Sequence, residues 1–265
     1  MADLNQLATT LRSHHIPGNP LILTNVYDIL SAEAVAQLPS CKALATASWA
    51  VAEAAGLRDA ELTLEVNLEA VRKIAKVAKK YNKPLTVDLQ DGYGVRLEEA
   101  IKAVIEAGAV GVNIEDVDKQ TRTQYERADA AARITNAIEV ARAVGVQDFV
   151  VNARCDSLLK GGTLEDTVAR GCDYLEAGAT TIFVIGGPQR GVSKEEVIKL
   201  IRAFKGRLNV SYKLLHPGLS IPELREIGVS RISVGPQLMK AAMAHFAKMA
   251  NAMLEDGVEQ MPKRL

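Results

Sequence analysis

The sequence predicts an α/β fold, a parallel sheet of eight strands closed into a (β/α)8 TIM-type barrel. Three observations predict it. Short β-rich runs alternate with longer stretches of helical period along a chain of 265 residues. The runs are mostly apolar without strict alternation, as parallel strands covered on both faces must be. The third is a recurring turn, Glu-(Ala/Ile)-Gly-(Ala/Val), at Glu106–Ala109, Glu176–Ala179 and Glu226–Val229, each placing a helix-capping glycine just before a run. A doubly wound open sheet alternates strand and helix too, but eight units of about 30 residues with no leftover segment favour closure.

The elements follow in order. After an N-terminal extension of about 20 residues come the runs Leu21–Asp28, Ala43–Ser48, Pro84–Leu89 and Gly111–Asp116. Phe149–Arg154, Thr180–Gly186, Arg207–Lys213 and Arg231–Pro236 complete the set. Between the second and third runs, Leu64, Leu68, Val71, Ala75 and Ala78 fall on one helical face with Lys73, Lys76, Lys79 and Lys80 outside it, the pattern of a helix laid on a sheet. A last helix, over about 237–254, carries Met239, Met243, Phe246, Met249 and Met253 in one stripe. Packing on the barrel wall and packing on a neighbouring subunit both satisfy such a stripe. No linker-like or low-complexity stretch divides the chain, so residues 1–265 read as one domain.

Composition narrows the function. With 32 basic and 32 acidic side chains the formal charge is zero, which argues against a nucleic-acid or anionic-membrane binder, since both need concentrated positive charge. No apolar stretch approaches the ~18 residues that cross a bilayer. Cys41, Cys155 and Cys172 show no CxxC spacing, which fits a reducing compartment, and residues 1–5 lack the pattern of a secretory signal. The expected location is cytoplasmic, with the tripeptide Lys263-Arg264-Leu265 a weak likeness of a peroxisomal address.

In such a barrel the active site lies at the C-terminal ends of the strands. Those ends supply Asn25, Tyr27 and Asp28, then Ser48 and Trp49, then Asp88, Gln90 and Asp91. Asn113, Glu115 and Asp116, Asn152 and Arg154, and Ser211 and Lys213 follow. Asp88 and Glu115, at the mouths of adjacent strands, make an oxygen-donor site suited to Mg2+ or Mn2+, with Asp59 a candidate for holding the cation's waters. The structural alternative has Asp88 capping the turn Asp91–Gly94 and Glu115 pairing with a rim cation. Arg154 presents a guanidinium fork for a substrate carboxylate; its alternative is a salt bridge to Asp156 or a ring carboxylate. Cys155 points away from the axis if Arg154 points inward, so it is not the expected nucleophile. His14, His15 and His245 read as structural or exposed, whereas His216 is placed to enter the site as an acid/base group.

With this rim assembled, the sequence resembles the isocitrate lyase/phosphoenolpyruvate mutase superfamily. The resemblance runs from about Asn25 to Ala244 and rests on NVYDILSA at Asn25–Ala32, ATASWAVAEAAGLRD at Ala45–Asp59 and VDLQDGYG at Val87–Gly94. GVNIED at Gly111–Asp116, NARCD at Asn152–Asp156 and ELREIGVSRISVGP at Glu223–Pro236 extend it. It implies a magnesium-dependent barrel, usually tetrameric, whose last helix is exchanged between neighbours. Asp88 matches the direct metal ligand, Asp59 and Glu115 the acids that hold its waters, and Arg154 the substrate-carboxylate arginine. Ser48 and Trp49 match positions whose backbone N–H groups receive substrate oxygens, and Asn25 and Asn113 join them as substrate-binding candidates. The chemistry implied passes through an enolate of pyruvate or a close relative held on the metal.

Departures from the family pattern matter as much. The Lys-Lys-Cys-Gly-His loop of isocitrate and methylisocitrate lyases is replaced by Asp116–Tyr125, with neither Cys nor His, and the Lys-and-Asn loop of the phosphonate mutases is not reproduced either. Gln90 stands where an acid is usual. A gating loop over Val117–Asp129 is expected, with Lys119, Arg122 or Tyr125 closing over substrate. The resulting expectation is a Mg2+-dependent lyase that cleaves or forms a C–C bond in a small 2-oxo or 2-hydroxy di- or tricarboxylate. Tyr27, Lys213 and His216 are its proton-donor candidates. Oxaloacetate decarboxylation or hydrolysis, and phosphonopyruvate hydrolysis or mutase chemistry, fit the same residues. A reading of another class is a carboxylate-binding pseudoenzyme that kept the pocket and lost the chemistry.

Overall fold

A computed structural model describes residues 2–214 and 218–255; His216 and the tripeptide at 263–265 lie outside the described residues. Eight parallel strands fall on the eight runs: β1 (Leu21–Leu23), β2 (Leu44–Ala45), β3 (Leu85–Asp88), β4 (Gly111–Glu115), β5 (Val150–Cys155), β6 (Thr181–Val184), β7 (Leu208–Ser211) and β8 (Arg231–Ser233). Their order, β1-β8-β7-β6-β5-β4-β3-β2, is a ring with one seam between β1 and β2. A single parallel bridge, Val26 to Thr46, spans that seam, with the Val26 N–H donating to the Ala45 carbonyl at 2.8 Å. The fold is the expected (β/α)8 barrel.

All strands but β5 are shorter than the runs that announced them, because the C-terminal part of those runs leaves the ladder and becomes rim. Asn25 shows how the backbone is then satisfied. Its Oδ1 accepts from the N–H groups of Val234 and Gly235 at 3.0 and 2.8 Å, and its Nδ2 donates to the Thr46 carbonyl at 2.7 Å. One side chain thus ties three strand ends across the seam, replacing lost ladder bonds.

Around the sheet run α2 (Ile29–Ala36), α3 (Ser48–Ala54), α4 (Leu64–Lys80), α5 (Leu97–Ala107), α6 (Arg127–Ala143), α7 (Leu164–Glu176), α8 (Gly187–Arg190), α9 (Lys194–Phe204) and α10 (Ile221–Ile227). The helix α4 buries the apolar stripe expected of it, starts on the Thr63 hydroxyl, which accepts from the Val66 N–H at 3.3 Å, and ends on Lys79 and Lys80. The repeated turn also does what its glycine implies: Gly108 and Gly228 cap α5 and α10 at φ 110° and 103°, values that a side chain resists.

The N-terminal extension forms α1 (Ala2–Ser13), which docks at the N-terminal end of β5. The Arg12 Nη2 donates to the Phe149 carbonyl at 2.8 Å, Asn5 accepts from the Asp148 N–H at 3.0 Å, and Ala8 and Leu11 are fully buried. At the other end of the chain, α11 (Gln237–Glu255) corrects one of the two expected packings. It does not lie on the barrel wall. None of its residues is buried, and Met243, Phe246 and Met253 are 48%, 69% and 54% exposed. The reason lies in its anchorage: Gln237 holds the first turn to the rim, accepting from the Leu214 N–H at 2.6 Å and donating to the Val234 carbonyl at 3.1 Å, and the helix leaves the barrel from there. No described helix is long and apolar enough to cross a membrane.

Candidate active site

Strand register sets the site in two levels. Asp88, Asn113 and Asn152 are direct neighbours on β3, β4 and β5, and one step nearer the mouth Glu115 neighbours Arg154. Alternation along each strand turns these side chains inward and leaves Val112, Val151, Ala153 and Cys155 to the helices. Cys155 is fully buried there, and burial raises its thiol pKa, so it is no nucleophile. Asp88, Asn113, Asn152 and Arg154 line a cavity of about 680 Å3 at the C-terminal ends of the strands.

The lower level is a hydrogen-bonded ladder. Asn113 Nδ2 donates to Asp88 Oδ1 at 3.0 Å, Asn152 Nδ2 donates to Asn113 Oδ1 at 2.7 Å, and the Thr181 hydroxyl donates to Asn152 Oδ1 at 2.7 Å. Asn209 bridges from Asn152 to the Ser233 hydroxyl. Asp88 is held from the other side by the Ser48 N–H, which donates to its Oδ2 at 2.9 Å. The Gln90 N–H also donates to Oδ1, at 3.4 Å, so both Asp88 oxygens have fixed directions and Oδ2 keeps a spare lone pair. In this geometry the Ser48 amide, a substrate-oxygen candidate, faces the carboxylate.

At the upper level Arg154 sits among acids. Its Nε and Nη2 make a two-pronged contact with Asp156 at 2.7 and 2.8 Å, and its Nη1 donates to Glu115 at 2.7 Å. Three of its five N–H groups are used, which leaves two for a ligand. Burial opposes its charge, but Glu115 and Asp156 more than compensate and its pKa is raised. Because Asp156 takes the guanidinium's fork, Glu115 is left under-compensated. Burial pushes its carboxyl up; Arg154 pulls it back, while Asp156, Asp88 and Asp59 raise it further. Asp59 is raised as well, by burial first and then by Asp88.

This surplus of acid over cation is what a divalent ion corrects. The donors are all oxygen, with no thiolate or imidazole among them, which fits Mg2+ or Mn2+. Among the described residues no three acidic, His or Cys groups are spaced as a complete protein cage. Asp88 and Asp59, which line the cavity, could hold such a cation, with Glu115 close by on Arg154.

Other candidates distribute unevenly. Ser48, Trp49, Asn113, Asn25 and Lys213 line the cavity, and the Lys240 ammonium stands 4.2 Å over the Trp49 ring. Tyr27 is not among the lining residues; it packs at the outer edge with Val51 and Leu62. The loop at 117–129 is folded onto the Gln90–Gly94 turn. Its Tyr125 hydroxyl donates to Asp91 Oδ2 at 3.1 Å, Lys119 Nζ donates to the Leu62 carbonyl, and the Arg122 carbonyl takes a bond from Lys160.

Sequence reasoning placed Gln90 at the rim without a partner and passed over Asn67. Gln90, in the left-handed region at φ 52°, turns its amide to Asp59, donating to the Asp59 Oδ1 at 2.9 Å. An amide where the family has an acid therefore serves as a clasp. Asn67 is fully buried and donates to the Asp88 carbonyl at 3.0 Å and the Tyr93 hydroxyl at 2.9 Å. Its signal was available: an Asn beside Leu64, Leu68 and Val71 on an apolar helical face needs a partner.

The comparisons with known proteins agree with this fold. The sequence matches the family described as phosphoenolpyruvate phosphomutase over residues 11–254. It is similar to a protein of Burkholderia cenocepacia J2315 solved as a candidate phosphonomutase, at 36% identity and TM-score 0.84, covering 94% of this chain and 98% of the other. It is similar also to a solved 2,3-dimethylmalate lyase, at 25% identity and TM-score 0.83, covering 97% and 87%. The phosphonopyruvate hydrolase of Variovorax sp. is 27% identical over 74% of this chain and 69% of that protein. A phosphonopyruvate hydrolase solved with oxalate and Mg2+ shares the fold at TM-score 0.82 and 22% identity, covering 97% and 92%.

Proposed function

The chain belongs to the phosphoenolpyruvate phosphomutase family, within the isocitrate lyase/phosphoenolpyruvate mutase superfamily of enzymes, and from that premise we propose that it is a Mg2+-dependent lyase acting on a C–C bond of a small 2-oxo or 2-hydroxy di- or tricarboxylate. One observation carries this reading: the carboxylates Asp59, Asp88, Glu115 and Asp156 gather about Arg154, which lines the cavity and has two N–H groups beyond the three that hold Asp156 and Glu115. A bound Mg2+ supplies positive charge against the enolate that C–C cleavage leaves behind.

The chain's own residues do the rest. Arg154, fixed by Asp156 and Glu115, offers its remaining N–H pair to a substrate carboxylate, and that orientation is set before the ligand arrives. Asn113 and Ser48 hold Asp88 in one rotamer, so its charge is pre-placed rather than recruited. Of the proton-donor candidates we assign Lys213, because it lines the cavity where Tyr27 does not. We further propose a homo-oligomer, tetrameric as the resemblance to the superfamily implies, in which the exposed Met243, Phe246 and Met253 face of α11 is covered by another copy. Phe246→Glu then lowers the mass read by light scattering. The three cysteines, all free, favour a cytoplasmic location.

The test is a substrate screen of purified protein with Mg2+ against oxaloacetate, phosphonopyruvate, 2,3-dimethylmalate, isocitrate and 2-methylisocitrate. Turnover of a carboxylate by C–C cleavage, lost in Asp88→Ala, supports the proposal. Product from phosphonopyruvate alone overturns the C–C assignment, and ligand binding without any turnover overturns the lyase.

A further inference from the structure

Arg231 opens β8, at the end of the strand farthest from the cavity mouth. It is 2% exposed, yet its Nε and Nη1 have no hydrogen-bond partner, and no carboxylate among the described residues is in ion-pair contact with it. It lies on the inward face shared with Ser233 and, through the register, with Asn209, and it forms part of the cavity wall. Thr86, inward on β3 just below Asp88, lines the same cavity with its hydroxyl likewise buried and unpartnered. A cation at this depth without a counter-ion is costly, and burial drags the Arg231 pKa down to about 9 with only the attraction of Asp88 opposing. The other charged group that senses it is His15, held neutral by burial. Buried water satisfies a neutral donor, but it does not neutralise a guanidinium.

We propose that Arg231 and Thr86 form a second anion subsite at the floor of the cavity, one that receives the distal carboxylate of a dicarboxylate whose 2-oxo or 2-hydroxy acid end is held at Arg154. The assignment of that acid end rests on the lyase reading above. Arg154, Asn152, Ser233 and Arg231 all line this one cavity, so a ligand held at Arg154 can extend toward Arg231. Arg154 then recognises what all 2-oxo acids share, and Arg231 recognises what distinguishes a diacid from a monoacid. The restriction to diacids comes from Arg231 being left uncompensated whenever the shorter or neutral-tailed acid binds.

The experiment is calorimetric titration of the full chain, with Mg2+ present, using matched pairs of equal length. The pairs are 2-oxoglutarate against 2-oxopentanoate and malate against 2-hydroxybutyrate, with oxalate as a ligand too short to reach the floor. In the wild type at least one diacid binds about tenfold tighter than its partner, as a charge-assisted contact gives. Arg231→Gln brings that ratio to within about twofold, Arg231→Lys leaves it intermediate, and oxalate affinity moves far less than the diacid's. Equal affinities within both wild-type pairs, with oxalate still binding, overturn the subsite and need no variant to fold. A preference that survives in Arg231→Gln overturns it as well. Failure of oxalate itself to bind with Mg2+ strikes the lyase reading instead.

Discussion

The two ends of the barrel are built on opposite rules. At the C-terminal end Asp59, Asp88, Glu115 and Asp156 are gathered about Arg154, and burial and mutual repulsion hold the Asp59 and Glu115 carboxyls above their usual range. At the N-terminal end α1 presses Ala8 and Leu11 onto the strands, and His15, just beyond that helix, has its pKa pushed down to about 3 by burial. Its Nδ1 bonds the Leu11 carbonyl at 2.9 Å and the ring stays neutral. The same strands therefore carry one end crowded with carboxylates, which costs stability, and one end packed mainly with apolar side chains, which supplies it. Function sits where the fold is least content.

The contrast breaks most completely at Asp88. Asp88→Ala is expected to lower turnover about 10^3-fold, because the pre-placed charge is gone, with circular dichroism unchanged. Activity within tenfold of wild type contradicts the role given to that carboxylate. Next in size is Arg154→Gln. It strands Glu115 and Asp156 in a site where the arginine is about a fifth exposed, and it is expected to cost about 3 kcal/mol in urea unfolding as well as substrate affinity. An unchanged midpoint shows the cluster is better solvated than the geometry implies.

Acidity sharpens the comparison, since the two ends titrate in opposite senses. Glu115 is raised, so the folded protein keeps a proton that the unfolded chain has released; stability falls as pH climbs from the ordinary carboxylate range through neutrality. Melting temperatures of metal-free protein should fall over that window, recover on adding Mg2+, and lose the slope in Glu115→Gln. His15 is depressed, so below its ordinary value of about 6.5 the unfolded chain takes up a proton that the folded one refuses, and stability is lost toward acid. The smallest effect is therefore expected of His15→Phe: turnover as in wild type, stability at neutral pH within about 1 kcal/mol, and a flatter acid limb in the melting profile. An unaltered acid limb means that another group governs it.

How much of this was readable in the sequence follows the same division. Strand order and the inward parity of Asp88, Asn113, Glu115 and Arg154 were legible, because period and capping glycines are local signals. Choice of partner was not. Nothing local says that Asp156 takes the fork of Arg154 and leaves Glu115 short, that Gln90 turns back to clasp Asp59, or that the Ser48 amide faces Asp88. Each depends on which strand ends the ring brings side by side. Arg231 was hidden by its surroundings, as an arginine at the head of an apolar run reads as a strand border until the register turns it inward. The methionine stripe of α11 misled in its wall-packing form, since an apolar face states that something covers it without stating what.

The central claim is that the acidic rim becomes a carboxylate-binding site only with a divalent cation. Titrating oxalate into the chelator-treated protein, with and without Mg2+, measures this directly. Oxalate is expected to bind tightly with Mg2+ and at least about a hundredfold more weakly without it, the span of charge compensation at such a site. Equal oxalate affinity in the presence and absence of the cation, or none in either, contradicts the account.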